Sequence, residues 1–312
     1  MIFRYLSVEF VGEPPPTNWA VSAWGVNAPF DPTESFFNSS DTVLNRVWGL
    51  SSQMLEKGVL DTYTDSNARE RRPYEADGLI TAANRMLLQS NNVMWSRHSH
   101  SWIFTFPTWP VEWLMMTPFL AYMDYWQTGS SDLANSFFEL LYNNTQIHAL
   151  DPVLGLVNTS KQGSRDVDLW NYTAANHDGG LYSCRVLGKC GGRHLIGWAP
   201  RWVDNNVTWM WSNSDFMSVS NFYTVRGLEN LAELARVAGR ANDADRCAKA
   251  AADLRSSVVR HMWDPKHQRF CDGICGDVGG NHSIYSDMYA LWLGMVPSPY
   301  NIYAIFVCRI CM

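Results

Sequence analysis

Asp61–Leu88 reads DTYTDSNARERRPYEADGLITAANRMLL. Within it Asp65, Glu70, Glu75 and Asp77 stand among Arg69, Arg71 and Arg72, directly before an apolar run. A charged turn capping a helix would use the same residue types. The position of Pro73 argues for more. Proline cannot sit inside a helix without losing a hydrogen bond, but it suits the first turn. A helix is therefore expected from Pro73 to Leu88, buried along Leu79, Ile80, Ala83, Met86 and Leu87. Glu75 and Asp77 fall in its first turns, where the macrodipole stabilises negative charge and favours an ionised Asp77. Asp65 and Glu70 precede it on a loop able to fold back over the same end. Carboxyls crowded at one mouth ionise unequally, which leaves one protonated and able to act as a general acid.

Outward from this segment, helical periodicity recurs over 40–57, 111–127, 131–143, 217–238, 242–262 and 284–295, with Gly239 and Pro297 as stops. Helices joined as hairpins, with a long irregular insertion over 144–215, fit an all-α toroid better than a bundle. Residues 1–30 alternate like edge strands, with Tyr5, Val8, Phe10, Val21, Ala23 and Val26 apolar. Residues 298–312, SPYNIYAIFVCRICM, form an apolar tail without a polar face.

The cluster resembles the catalytic-acid motif of the inverting α-L-rhamnosidases of glycoside hydrolase family 78. That motif starts on Asp, carries an Arg-Glu pair four and five positions later and closes on Asp twelve positions after the first. Asp65, Arg69, Glu70 and Asp77 reproduce these offsets. The resemblance implies that Glu70 is the general acid and that Asp65 and Asp77, with Arg69, bind the rhamnosyl ring. Tyr74 takes the place of the family's usual stacking tryptophan. Ser66-Asn67-Ala68 and Pro73-Tyr74-Glu75-Ala76 depart from the commonest form, as a divergent subgroup would. Further similar stretches follow in family order: Phe36–Trp48, Trp109–Trp113 with Thr128-Gly129-Ser130, Ile196–Pro200 with Val203-Asp204, and His282-Ser283 with Leu291–Pro297. In the fourth, Gly197 stands where the family carries Asp. Trp113 and Trp198 are candidate walls of the sugar subsite, and core packing is the alternative for both.

The resemblance implies an incomplete (α/α)6 barrel over 31–297, preceded by a β-sandwich remnant at 1–30 and followed by an aberrant tail at 298–312, as in a truncated member. It also implies inverting hydrolysis of terminal non-reducing α-L-rhamnose. Inversion requires a second carboxylate, about 6.5–9.5 Å from the acid, to activate water. In the family that glutamate follows the Gly-Leu-Val-Pro helix. No Asp or Glu follows Pro297 here, and Glu229 and Glu233 read as surface residues. Hydrolysis by residues 1–312 alone is not expected. Two alternatives compete: a non-catalytic carbohydrate-binding remnant, and another six-hairpin glycosidase.

Composition narrows the partners. The chain has 312 residues, only 17% charged, with 15 Trp and a net charge of −6. Few charges and many aromatics suit a carbohydrate cleft, and no basic run invites nucleic acid. No apolar run reaches the ~18 residues of a membrane span. Cys184–Cys190 and Cys271–Cys275 are spaced to close small disulfide loops in an oxidising compartment. Zinc-type spacing is lacking, with no second Cys-x-x-Cys and no paired histidine, so neither metal nor cofactor is expected. Glycosylation sequons at Asn38, Asn143, Asn158, Asn171, Asn206 and Asn281 lean towards a secreted protein. The start, MIFRYLSVEFVGEP, lacks the apolar core of a signal peptide.

Overall fold

A computed structural model describes residues 6–9, 11, 17–66, 70–90, 93–105, 111–158, 215–277 and 282–298. Arg69, Trp198, the Cys184–Cys190 pair and residues 299–312 lie outside them. The chain divides into two units, Met1–Trp102 and Ile103–Met312.

In the first unit α1 spans Thr42–Lys57 and α2 spans Glu75–Leu88. Asp41 caps α1, its carboxylate accepting the Val43 amide at 2.8 Å. No residue of α1 is buried, and its stripe of Val43, Leu44, Val47, Leu50 and Met54 stands in solvent. α2 begins two residues after Pro73 and turns a different face inward from the one expected. Glu75, Gly78, Leu79, Ala82 and Arg85 are buried, while Ile80 and Leu87 are exposed. The cause is Arg85, which anchors the face. Its guanidinium donates to the carbonyls of Leu55 (3.1 Å) and Pro29 (2.5 Å) and lies 5.4 Å over the Phe30 ring. Polar ties of this kind at a buried group outweigh the burial of one more aliphatic side chain. Gln89 finishes the clasp, exchanging hydrogen bonds with the Asp31 amide (2.8 Å) and carbonyl (2.7 Å). The described residues of 1–30 carry no strand; strands over that stretch, and the β-sandwich remnant they would mark, stay a proposal.

α3, Val93–Thr105, is a helix that hydrophobic periodicity does not announce. Its segment from Ser96 to Ser101, SRHSHS, interrupts the apolar pattern.

The second unit is a set of helical hairpins. After a single turn, α4 (Val111–Leu114), come α5 (Thr117–Thr128) and α6 (Asp132–Asn144), joined where Gly129 adopts φ 69° and ends α5. The expected helix over 111–127 is thus broken in two near Met116. α7 (Ser218–Val237) and α8 (Ala241–Met262) form the largest hairpin, turned at Gly239 with φ 76°. α7 is the central element: most of its surface is buried, and it packs on α5, α6 and α8 and on α9 (Ile284–Trp292). A helix buried all round must satisfy its polar side chains. Asn221 accepts the Val157 amide at 2.8 Å and donates to the Val157 carbonyl at 3.1 Å, and Thr224 donates to the Thr145 carbonyl at 2.7 Å. Phe222, Tyr223, Val258, Met262 and Phe270 fill the core around it. A short antiparallel hairpin, β1 (Trp263–Asp264) and β2 (Arg269–Phe270), follows α8 directly. Among the described residues no helix is long and apolar enough to cross a membrane.

Two cysteine and glycan expectations resolve here. Cys271 and Cys275 are joined by a disulfide. Of the sequon asparagines described, Asn143 lies in α6 and Asn158 is buried, which leaves Asn38 on an exposed loop.

Candidate active site

The loop before α2 is fixed from both ends. At its start Tyr63 is buried; its amide donates to Ser99 Oγ at 2.7 Å, and its hydroxyl meets Ser96 Oγ at 2.5 Å. The His100 ring lies against it, centroids 5.9 Å apart. Thr64 Oγ1 donates to the Gly58 carbonyl at 3.2 Å. Across the bend, the Ser66 amide donates to the Glu70 carbonyl (3.1 Å) and the Glu70 amide to Ser66 Oγ (3.2 Å). Tyr74 then enters α2 as its N-cap residue. Asp65 and Glu70 are thereby returned to the N-terminus of the helix that carries Asp77.

Asp65, Glu70 and Asp77 share this end of α2 with the Tyr74 phenol. Burial pushes the Asp77 carboxyl up to about 6, from the ordinary 3.8. The neighbouring Asp65 charge adds to the rise, as does the hydrogen bond between the two carboxyls, and Glu70 contributes a smaller part. The Tyr74 hydroxyl is also raised, chiefly by burial, then by Glu70, with Asp65 and Asp77 adding and Arg72 opposing. The helix N-terminus therefore does not keep the Asp77 carboxyl in its ordinary range: it ionises only as pH rises through about 6. A helix N-terminus favours an anion by about 0.3–1 kcal/mol. Burial beside a second carboxylate outweighs that preference and raises the carboxyl. Arg71 and Arg72 are exposed, where water screens their charge. The guanidinium field that would ionise every acid in the cluster is weakened accordingly.

The fold brings Asp65, Glu70, Tyr74 and Asp77 together. Asp65 is exposed, Glu70 and Asp77 are half-buried, and the Tyr74 ring is largely buried. Trp113 is half-buried on α4, in the second unit. Sequence reasoning passed over Tyr63, Ser96, Ser99 and His100, which hold the loop in place. Their signal was available: Ser96, Ser99 and His100 recur at helical spacing between apolar flanks, the pattern of a polar helix face turned inward.

Similarity to known proteins bears on the fold. The profile of the mannosylglycerate hydrolase MGH1-like glycoside hydrolase domain matches residues 194–292. No curated protein sequence matches the chain. Among solved structures, the family 78 rhamnosidase of Bacillus sp. GL1 superposes with a TM-score of 0.61 at 16% identity, over 90% of this chain and 27% of that one. The fold is that of the family 78 rhamnosidases. A rhamnosidase from Klebsiella oxytoca with rhamnose bound gives 0.59 at 12% identity, over 88% of this chain and 48% of that enzyme. The α-L-rhamnosidase from Dictyoglumus thermophilum gives 0.54 at 12%, over 86% and 27%. The chain spans between about a quarter and a half of the length of these rhamnosidases. Its helical hairpins are those of an all-α toroid, as the sequence resemblance implies.

Proposed function

We propose that this chain is the acid-bearing part of an inverting α-L-rhamnosidase that removes terminal non-reducing α-L-rhamnose from glycosides. The observation that supports this reading is the convergence of Asp65, Glu70 and Asp77 at the start of α2, with the Asp77 carboxyl pushed up to about 6. In this reading Glu70 gives its proton to the glycosidic oxygen as the bond to the anomeric carbon breaks. The Asp65–Asp77 pair shares a proton and so offers ring hydroxyls both a donor and an acceptor. Tyr74 and Arg69 border the sugar, with Trp113 and Trp198 as candidate subsite walls. Water attacks from the opposite face and loses its proton to a base, which we place outside residues 1–312. Glu229 and Glu233 are poor substitutes. Glu229 is paired with Arg226 (3.3 Å) and Arg255 (2.5 Å), and Glu233 accepts the Tyr122 hydroxyl at 2.6 Å.

A second assignment has its own support: the raised Asp77 carboxyl makes Asp77 the acid and Glu70 a ring-binding anion. Azide decides between them and tests the whole reading, since it attacks carbon without needing to lose a proton. The expected result with p-nitrophenyl α-L-rhamnoside at about pH 6 is no release in buffer and azide-dependent release of nitrophenol. For an alkyl rhamnoside, whose leaving oxygen must be protonated, Glu70→Gln should lower azide-dependent cleavage ~10²–10⁴-fold, with less effect on the nitrophenyl substrate. That leaving-group dependence appearing in Asp77→Asn instead would transfer the acid to Asp77. Rhamnose binding without azide-dependent cleavage would identify a non-catalytic sugar-binding remnant, and absence of both would overturn the reading. Glu70-dependent release in buffer alone would locate a base within the chain.

A further inference from the structure

The β1–β2 hairpin and the loop entering α9 assemble metal-type ligands for which the rhamnosidase reading has no use. Asp264 ends β1. Its Oδ1 accepts the amides of Lys266 (2.9 Å) and His267 (3.2 Å), which fixes the carboxylate in the hairpin turn. Its Oδ2 faces two imidazoles, His267 Nδ1 at 2.6 Å and His282 Nε2 at 3.2 Å. His282 Nδ1 lies 3.1 Å from the Phe270 carbonyl oxygen, an acceptor, so this nitrogen carries the hydrogen. The other ring nitrogen, Nε2, is thereby turned towards the Asp264 carboxylate. A backbone carbonyl on one ring nitrogen is also how protein metal sites orient the other towards the ion.

A sulfur completes the set. One ligand atom each from Asp264, Cys271 and His282 lie within 4.8 Å of one another. Around zinc, with bonds of about 2.0–2.3 Å, tetrahedral ligands stand roughly 3.3–3.8 Å apart, so closure requires movements on the order of 1 Å. The frame is already pinned. Asp272 Oδ1 accepts the Ser283 amide (3.1 Å) and the hydroxyls of Ser283 and Ser286 (both 2.5 Å), and Arg269 pairs with Asp287 at 2.7 Å. The amides of Cys271 and Cys275 donate to the Met262 and His261 carbonyls, each at 2.9 Å. These backbone bonds do not depend on the disulfide.

We propose that Asp264, His267 and His282 form a site for a divalent transition metal of the zinc type, and that reduction of Cys271–Cys275 adds the Cys271 thiolate as a further ligand. Two imidazoles and a thiolate select borderline and soft ions over calcium or magnesium. With a phosphine reductant, disulfide, phosphine and water give two thiols and phosphine oxide; the incoming metal then displaces the proton of the Cys271 thiol. The bound ion fastens the hairpin to the start of α9.

The test uses the full chain with Cys184, Cys190, Cys308 and Cys311 replaced by serine, which leaves the Cys271–Cys275 pair and the buried Cys247. Zn2+ and Co2+ are titrated before and after phosphine reduction, with far-ultraviolet circular dichroism confirming the fold. Binding in the oxidised chain, tightened at least tenfold by reduction with a new thiolate-to-cobalt charge-transfer band, is the expected result. Cys271→Ser should abolish the band and hold affinity at the oxidised value. His282→Gln should weaken binding about tenfold or more in both states. His267→Gln, at an exposed side chain, should do likewise without disturbing the fold. No binding in either state, or binding indifferent to both histidine substitutions, would overturn the site. Reduction without a sulfur band would remove Cys271 from it.

Discussion

α2 and α7 use their buried faces in opposite ways. α2 buries Glu75 and Arg85 beside Gly78 and Ala82 and leaves Ile80 and Leu87 in water. α7 buries Phe222, Val225, Leu228, Leu231 and Leu234 and answers its few polar groups one by one. The first helix carries the carboxyl cluster at its N-terminus; the second is the centre of a packed core. Stability therefore resides in the second unit, where apolar area is removed from water, and the chemistry sits on an element held mainly by polar ties. Buried polar networks fix geometry well and contribute little net stability.

The largest effect should come from cutting into the α7 core. Phe222→Ala removes a fully buried ring that meets Phe270 edge-on at 4.9 Å, and should cost about 3–5 kcal/mol in urea unfolding. A loss below ~1 kcal/mol would break the contrast. Tyr63→Phe should cost about 1–2 kcal/mol, because it leaves the Ser96 hydroxyl buried without its 2.5 Å partner. Faster hydrogen exchange over 59–66, with α7 unaffected, is the accompanying expectation.

Asp77→Asn sharpens the comparison through pH. The folded carboxyl of Asp77 titrates near 6 against an ordinary 3.8, so its favourable contribution is complete below about pH 4 and is lost as pH rises through 6. The asparagine variant should lose this dependence and be more stable near pH 7. Half-buried beside water, the group should contribute ~1 kcal/mol or less. Denaturant midpoints at either end of the window measure it; equal slopes in both proteins would mean that Asp77 titrates normally. Smallest is Leu87→Ser on the outer face of α2, expected within ~0.5 kcal/mol of wild type, with solubility improved by one fewer exposed aliphatic group. A large destabilisation there would show that this face is packed after all.

Much of this was legible in the linear chain. The stop at Gly239 and the stripe of α7 depend on nearest neighbours in sequence, and each appears where expected. α3 was missed because its inward face over Ser96–His100 is serine and histidine, which hydrophobic periodicity does not count. The α2 stripe was misjudged because Arg85, a residue usually placed in water, finds two backbone carbonyls and a ring to receive it.

By itself, then, the sequence determined where most of the helices run and that the architecture is all-α. These follow from local dihedral preferences, capping and periodicity. Only the tertiary structure decided which carboxyl is raised, since that depends on burial and on the approach of Asp65 to Asp77 across a loop. The same holds for the meeting of Asp264, Cys271 and His282: their spacing along the chain matches no ligand pattern, and a hairpin packed against the entry to α9 places them within reach of one ion. Local rules act through bonds and neighbouring turns, whereas electrostatic environment is set by groups that only folding brings together.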